Sequence, residues 1–205
     1  MEFIDEGNLY QTRYELTEQD KRYLVSQAVK INKLVIQIPE VYDSWAVINI
    51  NKEFEKIKTK LDKADLALIE PVVSEFNKID LIKLQKSFVH GDLIKTNVIK
   101  SGSRIYIIDF SVANNYPRIQ ELAVLLCNIF FDENSTEISK ENYNLALDEY
   151  QKYIKLDDYE LEVLPLYLKA AHVMHIIGAS GAKLSGVETN ENSYWLDQGR
   201  KGLNQ

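Results

Sequence analysis

Three polar residues stand out by type and spacing in the stretch SFVHGDLIKTNVIKSGSRIYIIDF, which runs from Ser87 to Phe110. Asp92 and Asn97 follow His90-Gly91 on one short segment, and Asp109 closes the stretch, all within an otherwise apolar and β-branched run. A glycine at position 91 permits a tight turn or a close backbone approach that a Cβ would obstruct. Asn97 offers an amide oxygen, and Asp109, at the end of a hairpin strand, brings a carboxylate to the same point. Two oxygen ligands of this kind suit Mg²⁺, which is held by one or two protein groups together with phosphates and water. Asp92 is then free to orient a hydroxyl and accept its proton. A base, a metal and a phosphate donor are the parts of a phosphoryl-transfer site. Singly, each of these residues has a plainer reading, because Asp and Asn favour turns and strand ends. The joint pattern is what points to chemistry.

The elements that must position these residues change character at the stretch itself. Before it the hydrophobic period is helical. Thr17 reads as an N-cap with Asp20 three residues on, opening a helix from about Glu18 to Gln37 that Pro39 stops. Ser44 is expected to cap a second helix with Phe54, Ile57 and Leu61 inward. Its lysines, Lys52 to Lys63, alternate with acids and read as a solvated face. A third helix is expected after Pro71, with Val72, Val73, Phe76 and Ile79 inward. Phe88 to His90, Asn97 to Lys100 and Arg104 to Asp109 then read as short strands, with Ser101-Gly102-Ser103 as a turn. A short extended segment, Glu2 to Ile4, is expected at the start. The helical period returns after Pro117 through Leu122, Leu125, Leu126 and Ile129, and again in Tyr143 to Ile154, Tyr159 to Leu184 and Asn192 to Leu203. The expected class is mainly α with a small β-hairpin.

At 205 residues, 45% apolar and 27% charged, the chain has the composition of an ordinary globular protein with room for a sizeable core. A net charge of −7 argues against a nucleic-acid partner and suits a cationic ligand better than a phosphate backbone. Cys127 is the only cysteine, so no intrachain disulfide exists and a reducing, cytoplasmic compartment is expected. The run Leu122 to Phe131, broken by Asn128, is far shorter than the ~20 residues that span a bilayer, and no membrane partner is expected.

The quoted residues also carry a resemblance. HGDLIKTN followed by IYIIDF resembles the catalytic loop and metal-binding strand of the aminoglycoside phosphotransferase and choline kinase superfamily, which has a protein-kinase-like fold. The resemblance implies that Asp92 is the catalytic base, that Asn97 and Asp109 are magnesium ligands, and that His90 braces the loop. It implies a catalytic loop over 88–98, a metal-binding hairpin over 97–110, Mg²⁺ and ATP or GTP as cofactors, and a small-molecule acceptor. The family's later D-L-A motif stands here as Glu121-Leu122-Ala123, with a longer carboxylate. Gly91, Ser111 and Val112 depart from the H-R-D and D-F-G patterns of protein kinases.

What the resemblance leaves unmatched is the N-terminal β lobe. No G-x-G-x-x-G and no V-A-I-K-like strand precedes the loop, and residues 1–14 resemble a hinge, so the chain reads as a helical C-lobe over 15–205. Two functions follow from different classes. One is a Mg-dependent kinase acting on the hydroxyl of an amine-bearing substrate such as an aminoglycoside. The other is a catalytically incompetent, partner-dependent lobe, for which a missing N-lobe or a second copy is the expected partner and an apolar surface its mark.

The remaining candidates read more plainly. His172 and His175, three apart, share a helix face but lack a third ligand at a recognisable spacing. Gly178 and Gly181 read as close helix packing, and Cys127 as an inert core thiol. Trp195 is expected either to anchor the C-terminal helix or to stack on a cation.

Overall fold

A computed structural model describes residues 4–39 and 41–205. The extended segment expected at Glu2 to Ile4 lies largely outside the described residues. After the single turn α1 (Leu9–Thr12), the first long helix is α2 (Glu18–Asn32). Thr17 caps it as the sequence predicts: its hydroxyl accepts from Asp20 N at 3.1 Å, and the Asp20 carboxylate accepts from Thr17 N at 3.2 Å.

The end of α2 comes at Asn32 rather than at Gln37. The Asn32 amide donates to Phe88 O at 3.0 Å and accepts from Tyr150 OH at 2.7 Å, which pins the helix end to the strand carrying the candidate loop. Beyond it Leu34, Val35 and Ile36 are 46%, 100% and 41% exposed, so the apolar face has no core left to bury it. The helix expected to run to Gln37 is therefore cut short, and Tyr23 of α2 also faces solvent.

Two further boundaries differ from expectation. Ser44 caps no helix; the Asp43 carboxylate accepts from Trp45 N, a 3₁₀ turn spans Val47–Asn49, and α3 (Ile50–Ile57) begins only there. Its lysines lie on the solvent side and pair locally, as in Lys56–Glu53 at 2.6 Å and Lys58–Glu55 at 3.0 Å. The third helix, α4 (Lys63–Phe76), starts at the Asp62 cap and contains Pro71 in its interior. A proline there removes one helical hydrogen bond. Burial of Ile69, Val73 and Phe76 on either side of it holds the helix together regardless.

The strands form two small antiparallel pairs. β1 (Lys86–Val89) pairs with β4 (Asn114–Pro117), from Lys86 opposite Pro117 to Val89 opposite Asn114. β4 escaped the sequence reading because Asn-Asn-Tyr-Pro has neither alternation nor a β-branched residue. β2 (Val98–Ser101) and β3 (Arg104–Ile107) form the expected hairpin, turning at Gly102 with φ +54°. Asn8 bridges Ile99 at the hairpin's outer edge.

α5 (Ile119–Asn128) runs through the centre, with every residue buried. α6 (Thr136–Gln151) packs on α2 and begins well before the expected Tyr143, at a Ser135 cap. α7 (Asp158–Leu184) packs on α3, α4 and α5, and α8 (Asn190–Asn204) lies along α7. α7 is long and apolar enough to cross a bilayer by length and composition, yet 67% of its most apolar window is buried within the fold. It serves here as the core helix. Gly199 and Gly202 bring α8 down onto it: a Cβ at Gly202 would lie 2.2 Å from the His172 ring.

Candidate active site

The H-G-D turn is set by backbone geometry before any side chain acts. Gly91 has φ +83°, a left-handed conformation that favours glycine, and a Cβ there would sit 3.2 Å from Val112 O. Gly91 N donates to Glu121 Oε2 at 3.1 Å, so the longer carboxylate of the Glu-Leu-Ala motif reaches the turn from α5. Glu121 is fully buried, and burial pushes its carboxyl up to about 7. Among the described residues its Oε1 has no hydrogen-bond partner.

His90 is also fully buried and ties the turn to the hairpin. Asp92 N donates to His90 Nδ1 at 3.2 Å, which leaves Nε2 as the protonated nitrogen, donating to Ile108 O at 3.0 Å. Burial lowers the imidazole's affinity for a second proton, so the neutral ring is the form that fits. Asn97 O accepts from Ile108 N at 3.0 Å. Ile108, the residue before Asp109, is thus held from both sides by the loop that carries Asp92 and Asn97.

Asp92, Asn97 and Asp109 line one cavity of about 320 Å³. The Asn97 amide nitrogen donates to Asp92 Oδ2 at 2.7 Å and to Asp92 O at 2.9 Å. That bond orients the side chain and leaves the amide oxygen as the group available to a cation. The two carboxylates stand in opposite environments. Burial raises Asp92 to about 6, partly offset by the Asn97 bond. Asp109 is exposed, with φ +63°, and hydrogen bonds from the Ser111 side chain and backbone hold it below the usual carboxylate range. An ionised carboxylate beside a free amide oxygen fits a hard divalent cation. Among the described residues no group of three His, Cys, Asp or Glu could hold a metal ion, so any cation here depends on that mixed pair.

Of the cavity's other wall, the sequence singled out only His175 and Trp195. That wall is formed by Trp45 from the loop before α3, His175 from α7, and Glu191, Asn192 and Trp195 from α8. Trp195 is 6% exposed, donates from Nε1 to Glu191 Oε1 at 3.1 Å, and lies 5.4 Å from the His175 ring. It both anchors α8 and borders the cavity. Trp45 packs over Gly178, where a Cβ would lie 2.0 Å from the indole; that contact gives Gly178 a packing role, whereas Gly181 faces open space. A distant Trp–Gly contact has no signature in local spacing. His172 and His175 are buried with rings 6.4 Å apart, in helix packing as expected, and Cys127 is buried with its thiol pushed well up.

The fold is protein-kinase-like with a mostly helical lobe, and it holds the H-G-D loop and the carboxylate after the hairpin on one cavity. The chain belongs to the phosphotransferase enzyme family APH, whose model matches residues 1–156. In structure it is similar to an ethanolamine kinase from Plasmodium vivax (TM-score 0.68, 13% identity, covering 99% of this chain and 62% of that one). It is similar to the choline kinase LicA from Streptococcus pneumoniae (TM-score 0.68, 14% identity, 99% and 69% coverage). A third likeness is to the amicoumacin kinase hAmiN, solved with AMP-PNP, Ca²⁺ and Ami (TM-score 0.65, 17% identity, 98% and 63% coverage). The chain therefore spans about two-thirds or less of these relatives' lengths. No curated protein matches it in sequence.

Proposed function

We propose that this chain is the acceptor-binding and catalytic lobe of a small-molecule kinase that transfers the γ-phosphate of ATP to a substrate hydroxyl. The observation that carries the reading is the Asp92–Asn97 hydrogen bond on a cavity shared with Asp109. Asp92 orients the acceptor hydroxyl and takes its proton; burial brings its pKa to about 6, near the working range of a general base. Asn97 Oδ1 and the Asp109 carboxylate would hold Mg²⁺, which would neutralise charge on the donor's phosphates. Asn97 also restrains the Asp92 carboxylate, and His90 keeps the two halves of the site in register.

The acceptor we infer is an amine. Glu191 and the faces of Trp45 and Trp195 border the cavity, an arrangement suited to a cation. Named relatives that act on ethanolamine and choline support the same class.

The nucleotide side of this reading rests on a second lobe. Tyr23, Leu34 and Phe110, exposed by 42%, 46% and 45%, border an open groove between α2 and β3 beside Asp109. We assign this face to a nucleotide-covering lobe of the kind that would fill the additional length of the relatives. The alternative function, a catalytically incompetent and partner-dependent module, draws on the same exposure.

Phosphotransfer from Mg-ATP to choline, ethanolamine and an aminoglycoside, with Asp92→Asn as control, tests the proposal. Product above the control supports it. Binding of Mg-ATP with no product from any acceptor favours the module.

A further inference from the structure

Resting on the phosphotransfer reading, one residue of the loop has an environment that the mechanism above does not use. Lys95 lies three residues beyond Asp92, half-buried between the loop and α8. Its Nζ donates to Tyr194 OH at 2.8 Å and sits 5.5 Å from the centre of the same ring. Its backbone N donates to Asn128 Oδ1 at 2.9 Å, and Asn128 in turn meets Gln198 through two bonds of 3.4 Å. Gln198 Nε2 also reaches Tyr194 OH at 3.3 Å. Both polar groups of Lys95 therefore end on α8, one directly and one through Asn128.

The helical period gives this contact its significance. On α8, Glu191 and Trp195 form one i,i+4 stripe and border the cavity, while Tyr194 and Gln198 form the adjacent stripe and grip the loop. The Tyr194 ring further meets Trp195 at 4.7 Å and Tyr10 of α1 at 5.2 Å. Moving the loop relative to one stripe would move the other with it.

We propose that Lys95 is a positioning residue: held by Tyr194, it fixes the acceptor wall of α8 at a set distance from the Asp92 carboxylate. A half-buried ammonium is a costly tether unless its partner is well placed, and the Tyr194 hydroxyl at 2.8 Å meets that need. The tether acts on the seating of the acceptor and leaves the nucleotide's contacts alone.

Lys95→Met keeps the aliphatic stem and removes the charge, and Tyr194→Phe keeps the ring and removes the hydroxyl. Both tryptophans of the chain border the cavity, so in a Trp45→Phe background Trp195 alone reports on the wall. Acrylamide quenching of Trp195 is expected to rise about twofold in each variant, as for a buried side chain exposed by local opening. In chains retaining Trp45, KM for choline or ethanolamine is expected to rise about tenfold with KM for ATP unchanged, and Lys95→Arg to recover most of it. Unchanged quenching in both variants, or equal rises in both KM values, overturns the proposal. Should the parent chain phosphorylate choline, ethanolamine and an aminoglycoside no faster than Asp92→Asn does, the phosphotransfer reading fails, while quenching still decides the tether. Tyr194→Phe decides alone if Lys95→Met does not fold.

Discussion

The two ends of the Asp92–Asp109 site differ in their surroundings. At the Asp92 end the loop is enclosed: His90 and Glu121 are fully buried, and α7 and α8 wall the cavity. At the Asp109 end the carboxylate faces solvent, and Tyr23, Leu34, Ile108 and Phe110 lie open beside it. The β2–β3 hairpin links the two environments. The difference teaches that the fold encloses the Asp92 end and leaves an apolar face exposed beside Asp109, the ends that the proposed function assigns to acceptor and donor. Desolvation at the first end raises Asp92, while hydrogen bonds from Ser111 at the exposed end favour the ionised form of Asp109.

The comparison can be broken at several points. The largest effect is expected for Asp92→Asn, which should lower phosphotransfer by about 10²–10⁴-fold without lowering the melting temperature, because it removes a carboxylate whose ionised form burial disfavours. A product assay beside a thermal melt checks both halves.

Next comes the pH dependence that Glu121 contributes. Its folded pKa of about 7 lies above the unfolded value of 4.5, so the folded state binds the extra proton between those limits. The associated stability is fully present below 4.5 and is lost as pH rises through 7. At about 1.4 kcal/mol per pH unit the total is on the order of 3 kcal/mol. Glu121→Gln, which still offers an oxygen to Gly91 N, should flatten that part of the stability–pH curve in urea unfolding. A curve unchanged by the substitution would contradict the enclosure of this end.

Gly91→Ala is expected to cost about 1–2 kcal/mol through its positive φ and the approach to Val112 O, measured by chemical denaturation. The smallest effects belong to the open face. Leu34→Glu should change the stability of the isolated chain by no more than about 0.5 kcal/mol, because that side chain does not contribute to the core, whereas Phe110 packs on the buried His90 ring at 4.4 Å. Light scattering sharpens this last point. A monomer in solution keeps the face free for a second lobe, whereas a dimer dissolved by Phe110→Glu assigns it to another copy.

How much of this was legible in the sequence follows from range. Asp92, Asn97 and Asp109 are close in the chain, so spacing, a turn glycine and a hairpin suffice to bring them together. The Thr17–Asp20 cap and the β2–β3 turn were readable for the same local reason. Helix ends were not, because α2 stops where the core stops, and Pro71 is tolerated through contacts made on either side of it. Trp45 and Glu191 come to the cavity from segments far from the loop in sequence, and a single sequence carries no signal of that meeting. Glu121 was visible as a departure from a motif, but its reach to Gly91 N required the fold.

The most direct test of the central claim is calorimetric titration of the chain with ATP, with and without Mg²⁺, alongside Asp109→Ala. Metal-dependent binding that the substitution abolishes is the predicted result. Equal heats with and without Mg²⁺, or binding that survives Asp109→Ala, would contradict a metal-nucleotide site built on Asn97 and Asp109.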